Sequence, residues 1–468
     1  MSEDQLRHRI QAAGQEHVLR FWSRITPQQR QRLAAQLHTI DFNLVNELYT
    51  KLVAAPPRRN PAAFEPAEVI TLAEQQGDPR QRQTMIELGE EAIAAGRVGA
   101  LLVAGGQGSR LGFDGPKGML AIASVTGKSL FQLHAEKLLA LSRRHRVAIP
   151  FYIMTSQANH EATVHFFESN QYFGLPVAEV YFFRQGMMPA VDSRGQIILE
   201  RPESVFLNPD GHGGVLTALK KSGALQDMQR RKLEHIFYFQ VDNVLINLCD
   251  PLFIGYHLHA ESEMSAKVCS KKHPDEKVGV VGRKNGRLTV IEYSEMSETD
   301  KTARNSSGSL KFNSGSIAIH LFSVEFLTRE VENGSKLPWH VAHKRIPYVG
   351  DDGNPREPER PNGFKFESFI FDALSDARKT MLLEVDRAHE FSPIKNASGE
   401  DSPATAVQDF SNFYATWLEQ CGVTIPRTSE GFPLPRIEIS PLFALDVEEL
   451  RCKLSADLMV GDELYLGE

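Results

Sequence analysis

The chain has 468 residues, of which 41% are hydrophobic and 24% charged, with a formal net charge of −7. That length exceeds one ordinary core and predicts two or three domains of a globular protein. The acidic balance, with no long basic stripe, argues against a nucleic-acid binder, and no apolar stretch approaches the ~20 residues of a membrane span.

The N-terminal MSEDQLRHRIQAAGQEHVLRFW has scattered charges and no signal-peptide apolar region. Leu6, Ile10, His17, Val18, Phe21 and Trp22 recur at roughly helical spacing, and Thr26 before Pro27 predicts the N-cap and first position of a second helix. VAAPPRRNPAAFEPAE predicts a connector, and 78–97 a helix ending at Gly96. From Val98 the texture changes. Apolar runs of strand length at 99–104, 150–156, 178–185 and 235–243 alternate with helical stretches at 129–145 and 213–231. Such alternation implies a parallel sheet covered on both faces.

KVGVVGRKNGRLTVIEYSE predicts an antiparallel hairpin about Asn285-Gly286. Beyond 400, a helix around FSNFYATWLEQCG precedes the proline-punctuated, strand-like IPRTSEGFPLPRIEIS. The expected fold is α/β, with a Rossmann-like, mostly parallel central sheet. The expected division is a helical region at 1–97, a main domain at 98–395 and a small C-terminal unit at 396–468. Cys249, Cys269, Cys421 and Cys452 are widely spaced and form no metal-type pair, as expected of thiols in a cytoplasmic protein.

LLVAGGQGSRLGFDGPKGML, residues 101–120, sets a glycine-rich loop after the first of these strands. In open parallel sheets, ligands bind where loops leave the carboxyl ends of strands. Successive glycine amides there can face phosphate oxygens, although a tight turn with no ligand would also use glycine. Arg110 and Lys117 add two cations a few residues further on. The contiguous Gly-Lys-Ser/Thr of a P-loop is missing, and so is a clean G-x-G-x-x-G. A dinucleotide-dependent dehydrogenase would also want an acid near 128, where KSLFQLH offers none before Glu136.

The loop resembles the signature of nucleotidyltransferases that make nucleotide sugars, and more narrowly the eukaryotic-type UDP-N-acetylhexosamine and UDP-sugar pyrophosphorylases. The resemblance continues in order through FFRQGMMPAV, LNPDGHGGVLTAL, FQVDNVLINLCDPLFIGYH, the hairpin, FNSGSIAIHLF, KRIPYVGDDGNPREPERPNGFKFESFIFD and HEFSPIKNASGEDSPATA. It covers most of residues 99–406. It implies that UTP and a sugar 1-phosphate give a UDP-sugar and pyrophosphate, by direct attack of the sugar phosphate on the α-phosphorus. In-line transfer of this kind needs alignment and charge stabilisation more than a protein nucleophile.

By the same resemblance, Gly105, Gly106, Gln107 and Gly108 hold the nucleotide, and Arg110, Lys117 and Lys395 meet the phosphates. Gln185 and Gly211 match the uracil-reading positions, and Glu292 and Asn313 those that bind sugar hydroxyls. Asp242 is expected to hold Mg²⁺, which favours one or two carboxylates together with phosphate and water. Ordinary alternatives stand beside these roles: a turn cap for Asp242, a solvated lysine for Lys395 and a loop glutamine for Gln185, while Phe369 and Phe371 either line the sugar pocket or pack in the core. For Asn243 a role in the site and the shaping of a turn both stay open.

Three positions depart from the family pattern: His212 stands for a usual Asn, Ser316 for the last Asn of FNAGN, and Ser109 for a common Thr. His212 falls beside the expected sugar site, so the sugar is the open point. N-acetylglucosamine 1-phosphate leads, followed by glucose 1-phosphate, galactose 1-phosphate or several sugars. A UDP-sugar-binding regulatory protein without turnover is the alternative of another class. The expected partners are these small molecules, with no nucleic acid or membrane, and the oligomeric state is open.

Overall fold

The structure is a computed structural model and describes residues 3–56, 64–293, 295–332, 334, 337–455 and 458–467. Residues 57–63 of the proline-rich connector and Ser294 of the hairpin segment lie outside them. Contacts divide the chain into two units. One comprises Met1–Ala62, Gln185–Thr217 and Ser335–Asp372, and the other Ala63–Arg184, Ala218–Gly334 and Ala373–Glu468.

The larger unit is built on a ten-stranded sheet. Its strands in chain order are β1 (Phe64–Pro66), β2 (Val98–Val103), β3 (Phe151–Thr155), β4 (Val180–Arg184), β5 (His235–Gln240), β6 (Met264–Ser270), β7 (Val280–Lys284), β8 (Arg287–Ile291), β9 (Ser314–Ser323) and β10 (Thr380–Glu384). Across the sheet the order is β1-β7-β9-β5-β2-β3-β4, with β8 on β7, and β6 between β9 and β10. The expected parallel centre is present. Ala100 of β2 aligns with Phe237 of β5 and Phe151 of β3, and Phe151 in turn with Val180 of β4. β2 and β3 are apolar without alternation and almost wholly buried, as strands covered on both faces must be. The antiparallel flank begins at β9, which runs against β5.

Local chemistry sets the remaining boundaries. The β7–β8 turn has φ of 52° at Asn285 and 76° at Gly286, the type I′ geometry that an Asn-Gly pair favours. The helix at 79–94 starts behind Asp78, whose carboxylate accepts the amides of Arg80 and Gln81. The helical stretch expected at 213–231 is two helices, Val215–Ser222 and Ala224–Arg230, broken at Gly223 with φ 82°. Near the C-terminus the helix Pro403–Gln420 begins earlier than the aromatic run suggests, because Ser402 caps it and Pro403 fills its first position. Arg436–Ile439 and Glu463–Leu466 then pair in parallel. Glu438 on the first of them is fully buried and accepts the amides of Val125 and Thr126 at 3.0 and 2.8 Å. The C-terminal strands thereby brace the loop that follows Lys117.

In the smaller unit, Pro27–Thr39 carries the expected N-cap, with Thr26 and Gln29 closing a capping box. The first helix is shorter than its apolar spacing suggests. It stops at Ala12 before Gly14 (φ 68°), and a 3₁₀ turn at Glu16–Leu19 follows. Leu6, Ile10, Leu33, Leu37 and Val45 form a core with Val191, Ile197 and Phe366. Two-stranded ladders, Met187–Pro189 with Leu207–Pro209 and Trp339–Lys344 with Gly363–Ser368, carry the loops described below. Among the described residues no helix is long and apolar enough to cross a membrane.

Candidate active site

The glycine loop leaves the carboxyl end of β2, and its glycines divide by cause. A Cβ on Gly108 would lie 2.7 to 3.0 Å from Phe113, and one on Gly118 2.3 Å from the Phe131 ring. Gly112 and Gly115 have φ of 72° and 150°. Packing or backbone conformation alone therefore accounts for these four. Gly106 is different: a Cβ there meets no atom of the described residues within 4 Å, and its φ lies outside the left-handed region.

The loop is held from behind. Asn159 Nδ2 donates to the carbonyls of Ala104 and Gly106 at 2.8 and 3.3 Å, and the Lys117 amide donates to Gly106 at 3.1 Å. The Gly108 amide is committed to Gly115. The amides of Gly105, Gly106 and Gln107 meet no acceptor among the described residues. Gln107 is exposed, as is Arg110 on the turn Ser109–Leu111, whose guanidinium forms no ion pair among the described residues. This is a cradle for an anion with a free cation at its rim.

Lys117 and Asp242, 125 residues apart in the chain, form an ion pair at 3.0 Å, with their side chains 18% and 14% exposed. Asp242 follows β5, the strand beside β2. The second Lys117 bond goes to the Ile394 carbonyl at 3.0 Å, and Ile394 donates its amide to the Asp242 carbonyl. Asn243 does more than shape a turn. Its Nδ2 donates to the Glu390 carbonyl and its Oδ1 accepts the Ser392 amide, which ties 390–394 to 242–243. Lys395 comes next, 43% exposed, with Nζ 3.6 Å from Asp401 and 5.4 Å from the Phe391 ring centre. The sequence held no signal for this zipper, which joins segments about 150 residues apart.

Among the described residues no three His, Cys, Asp or Glu side chains cluster as a metal cage. A single half-buried carboxylate, with Oδ1 unpartnered by those residues, nevertheless fits Mg²⁺. That ion takes one or two carboxylates and completes its shell with phosphate and water.

Glu292 and Asn313 lie at one end of the β8-β7-β9 ladder. The pairing of Val280 with Ile291 and with Gly315 brings the residues flanking both partners together. Gly279, which the sequence reading missed, sits between them. Its carbonyl accepts the Ser316 amide, and a Cβ on it would lie 3.2 Å from Glu292 Oε1. Asn313 Oδ1 accepts the Lys271 amide and its Nδ2 donates to Ser270 Oγ, both at 2.9 Å, which leaves one N–H for a ligand.

In the smaller unit, Gln185 is 9% exposed, and its side-chain amide has no hydrogen-bond partner among the described residues. Gly211 has φ 87°, and a Cβ there would lie 2.3 Å from the Ser368 carbonyl oxygen, so glycine is required by the fold itself. His212 stacks on Phe369 with ring centres 5.2 Å apart and touches Phe371 at 5.5 Å. The Ile370 amide donates to His212 Nδ1 at 3.2 Å, so the neutral ring carries its proton on Nε2. Burial, aided by nearby His340, pushes the His212 pKa down to about 4. His212 thus presents a neutral N–H donor on an aromatic shelf.

The sequence model of the family described as UTP–glucose-1-phosphate uridylyltransferase matches residues 62–456. The chain belongs to this family. A human relative, UDP-N-acetylhexosamine pyrophosphorylase-like protein 1, is 38% identical over 97% of this chain and 95% of its own. The UDP-N-acetylglucosamine pyrophosphorylase of Saccharomyces cerevisiae is 35% identical over 88% of this chain and 90% of its own. Among solved structures, the uridine diphosphate N-acetylglucosamine pyrophosphorylase of Trypanosoma brucei in complex with an inhibitor superposes with a TM-score of 0.83. It is 29% identical and covers 100% of this chain and 99% of its own. These relatives place the chain on the UDP-N-acetylhexosamine pyrophosphorylase branch of the uridylyltransferases.

Proposed function

We propose that this protein transfers uridylyl from UTP to a sugar 1-phosphate, with N-acetylglucosamine 1-phosphate preferred, releasing pyrophosphate. The observation that carries the reading is the glycine cradle, whose open amides sit beside a free Arg110 and whose strand adjoins the Lys117–Asp242 pair. Direct in-line attack asks the protein for alignment and for cations where charge develops. Amides 105–107 receive the nucleotide phosphates, Arg110 and Lys117 stabilise the leaving pyrophosphate and the α-phosphate, and Lys395 faces the same oxygens. No side chain is needed as nucleophile.

Asp242 would hold Mg²⁺, which supplies charge neutralisation between phosphate oxygens when bound. Gln185 offers the amide that an N3–H flanked by two carbonyls requires. Gly211 passes backbone close to the base. Glu292, Asn313 and His212 take the sugar, the last as a donor to an acceptor oxygen. Four free cysteines are consistent with a cytoplasmic setting.

The test is pyrophosphate release from UTP and Mg²⁺ with a panel of sugar 1-phosphates, comparing kcat/KM. Preference for N-acetylglucosamine 1-phosphate by tenfold or more, about 1.4 kcal/mol, supports the reading. Preference for a non-acetylated hexose moves attention to His212 and Ser316. Binding of UDP-sugar with no turnover on any member refutes enzymatic function.

A further inference from the structure

The segment that ends in Lys395 begins in a buried charged cluster. Lys267 on β6 is 0% exposed, with Nζ 2.8 Å from Asp250 Oδ2 and 2.6 Å from Glu390 Oε1. Glu390 is buried too, and its Oε1 also accepts the Asn247 amide at 3.2 Å. Asp250 has its own task, capping the helix Pro251–His259 through the Leu252 amide. Burying three charges is a poor route to stability, since desolvation can outweigh their attraction and apolar replacements often serve as well. What the cluster holds in place is therefore the better guide to why it is there.

Glu390 touches both halves of the zipper. Its carboxylate grips the 242–250 loop through Asn247, and its carbonyl takes Asn243 Nδ2 at 2.8 Å. From there Ser392 bonds Asn243 Oδ1, Ile394 bonds the Asp242 carbonyl, and Lys117 bonds the Ile394 carbonyl, each at 3.0 Å. Lys395 is one residue further. A slip at Glu390 would shift every one of these bonds, whereas Lys267, paired with Leu383 of β10 and lying at a bulge in the β6–β9 ladder, belongs to a separate strand.

We infer that the Lys267–Glu390 pair is a positioning device that sets the register of residues 390–395 against Asp242 and Asn243 and thereby places Lys395. The inference rests on the uridylyl-transfer reading of Lys395. Neither member of the pair meets substrate; both act through the segment they hold.

The experiment measures kcat and KM by pyrophosphate release, together with melting temperature, for Glu390→Leu and Glu390→Gln on wild-type and Lys395→Ala backgrounds. Glu390→Leu is expected to lower kcat tenfold or more, with KM for UTP changed less than threefold. Glu390→Gln keeps an acceptor for the Asn247 amide and for Lys267, and is expected to recover most of kcat. On the Lys395→Ala background, Glu390→Leu is expected to cost clearly less than on wild type, because the placement of Lys395, one part of its effect, is already gone. A full tenfold loss on top of Lys395→Ala would mean that Glu390 does not act through Lys395, and would overturn the inference. So would wild-type kcat in Glu390→Leu while Lys395→Ala is impaired. Wild-type kcat in Lys395→Ala would instead remove the catalytic role on which the inference rests, and the inference with it. Should Glu390→Leu not fold, the triple variant Lys267→Met/Asp250→Asn/Glu390→Leu removes the three charges together, keeps a capping side chain at 250 and carries the same expectations.

Discussion

Alanine at position 106 separates a glycine kept for a ligand from one kept for the fold. Among the described residues no atom lies within 4 Å of a Cβ there, and the backbone is outside the left-handed region. Gly106→Ala is therefore expected to fold normally and to gain about 0.4–1 kcal/mol from a less flexible unfolded chain. Crowding one methyl group against a closely packed phosphate costs about 1–3 kcal/mol, so KM for UTP is expected to rise roughly 5- to 150-fold. Gly108→Ala is the control. Its Cβ would meet the Phe113 side chain and carbonyl at 2.7 to 3.0 Å, and the fold is expected to lose about 1–3 kcal/mol. The assay is initial-rate pyrophosphate release against UTP concentration, with a thermal melt of each variant. A wild-type KM in Gly106→Ala would refute the argument, because the open face of the loop would then have no phosphate against it.

Lys117→Ala removes a half-buried ion pair and is expected to cost about 1–2 kcal/mol of stability, between exposed and buried cases, and ~10²–10³ in kcat. Near-wild-type turnover would take Lys117 out of the mechanism. Asp242→Asn keeps an acceptor for Lys117 but loses the metal's carboxylate. UTP binding without divalent ions, followed by calorimetry, should hold while kcat with Mg²⁺ falls, and an equal loss of both would refute the metal role. Gln185→Ala should raise KM for UTP and lower the UTP-over-CTP preference in kcat/KM, and an unchanged ratio would remove the uracil assignment. Burial pushes the His134 pKa down to about 3 and the His235 pKa down to about 4. The unfolded chain, titrating near 6.5, binds more protons than the folded one below that pH. Stability is therefore full above about pH 6.5 and falls by up to about 1.4 kcal/mol per pH unit for each such histidine as the pH drops toward 4. A melting temperature flat from pH 7 to 4.5 would contradict this.

The parts of the fold that could be read from the sequence are those set by local chemistry. The parallel strands announced themselves as unbroken apolar runs, because both faces of β2 and β3 are covered. The Asn285-Gly286 turn and the Thr26 cap need a specific residue at a specific place, so their residues identify them. What stayed hidden was long-range. The smaller unit draws on three separate stretches of chain, and periodicity records only which face of an element is apolar, not what covers it. Glu390 reads in isolation as an exposed acid in a polar stretch, yet it is buried against Lys267, 123 residues away. The glycines were visible as a cluster, but the split between Gly106 and Gly108 depends on where Phe113 turns.

The Lys117–Asp242 pair was legible as two separate expectations, a phosphate lysine and a metal carboxylate, but not as partners. Their pairing makes sense of both. In the proposed function one is a phosphate lysine and the other a metal carboxylate; both side chains are largely removed from solvent, and at 3.0 Å each offsets the other's charge. On the proposed reading, a nucleotide polyphosphate would offer anionic oxygens to Lys117, and Asp242 would hold a divalent cation that neutralises phosphate charge. The bond to the Ile394 carbonyl gives Lys117 a second anchor that does not depend on Asp242, so the zipper beneath that carbonyl bears on where the ammonium lies.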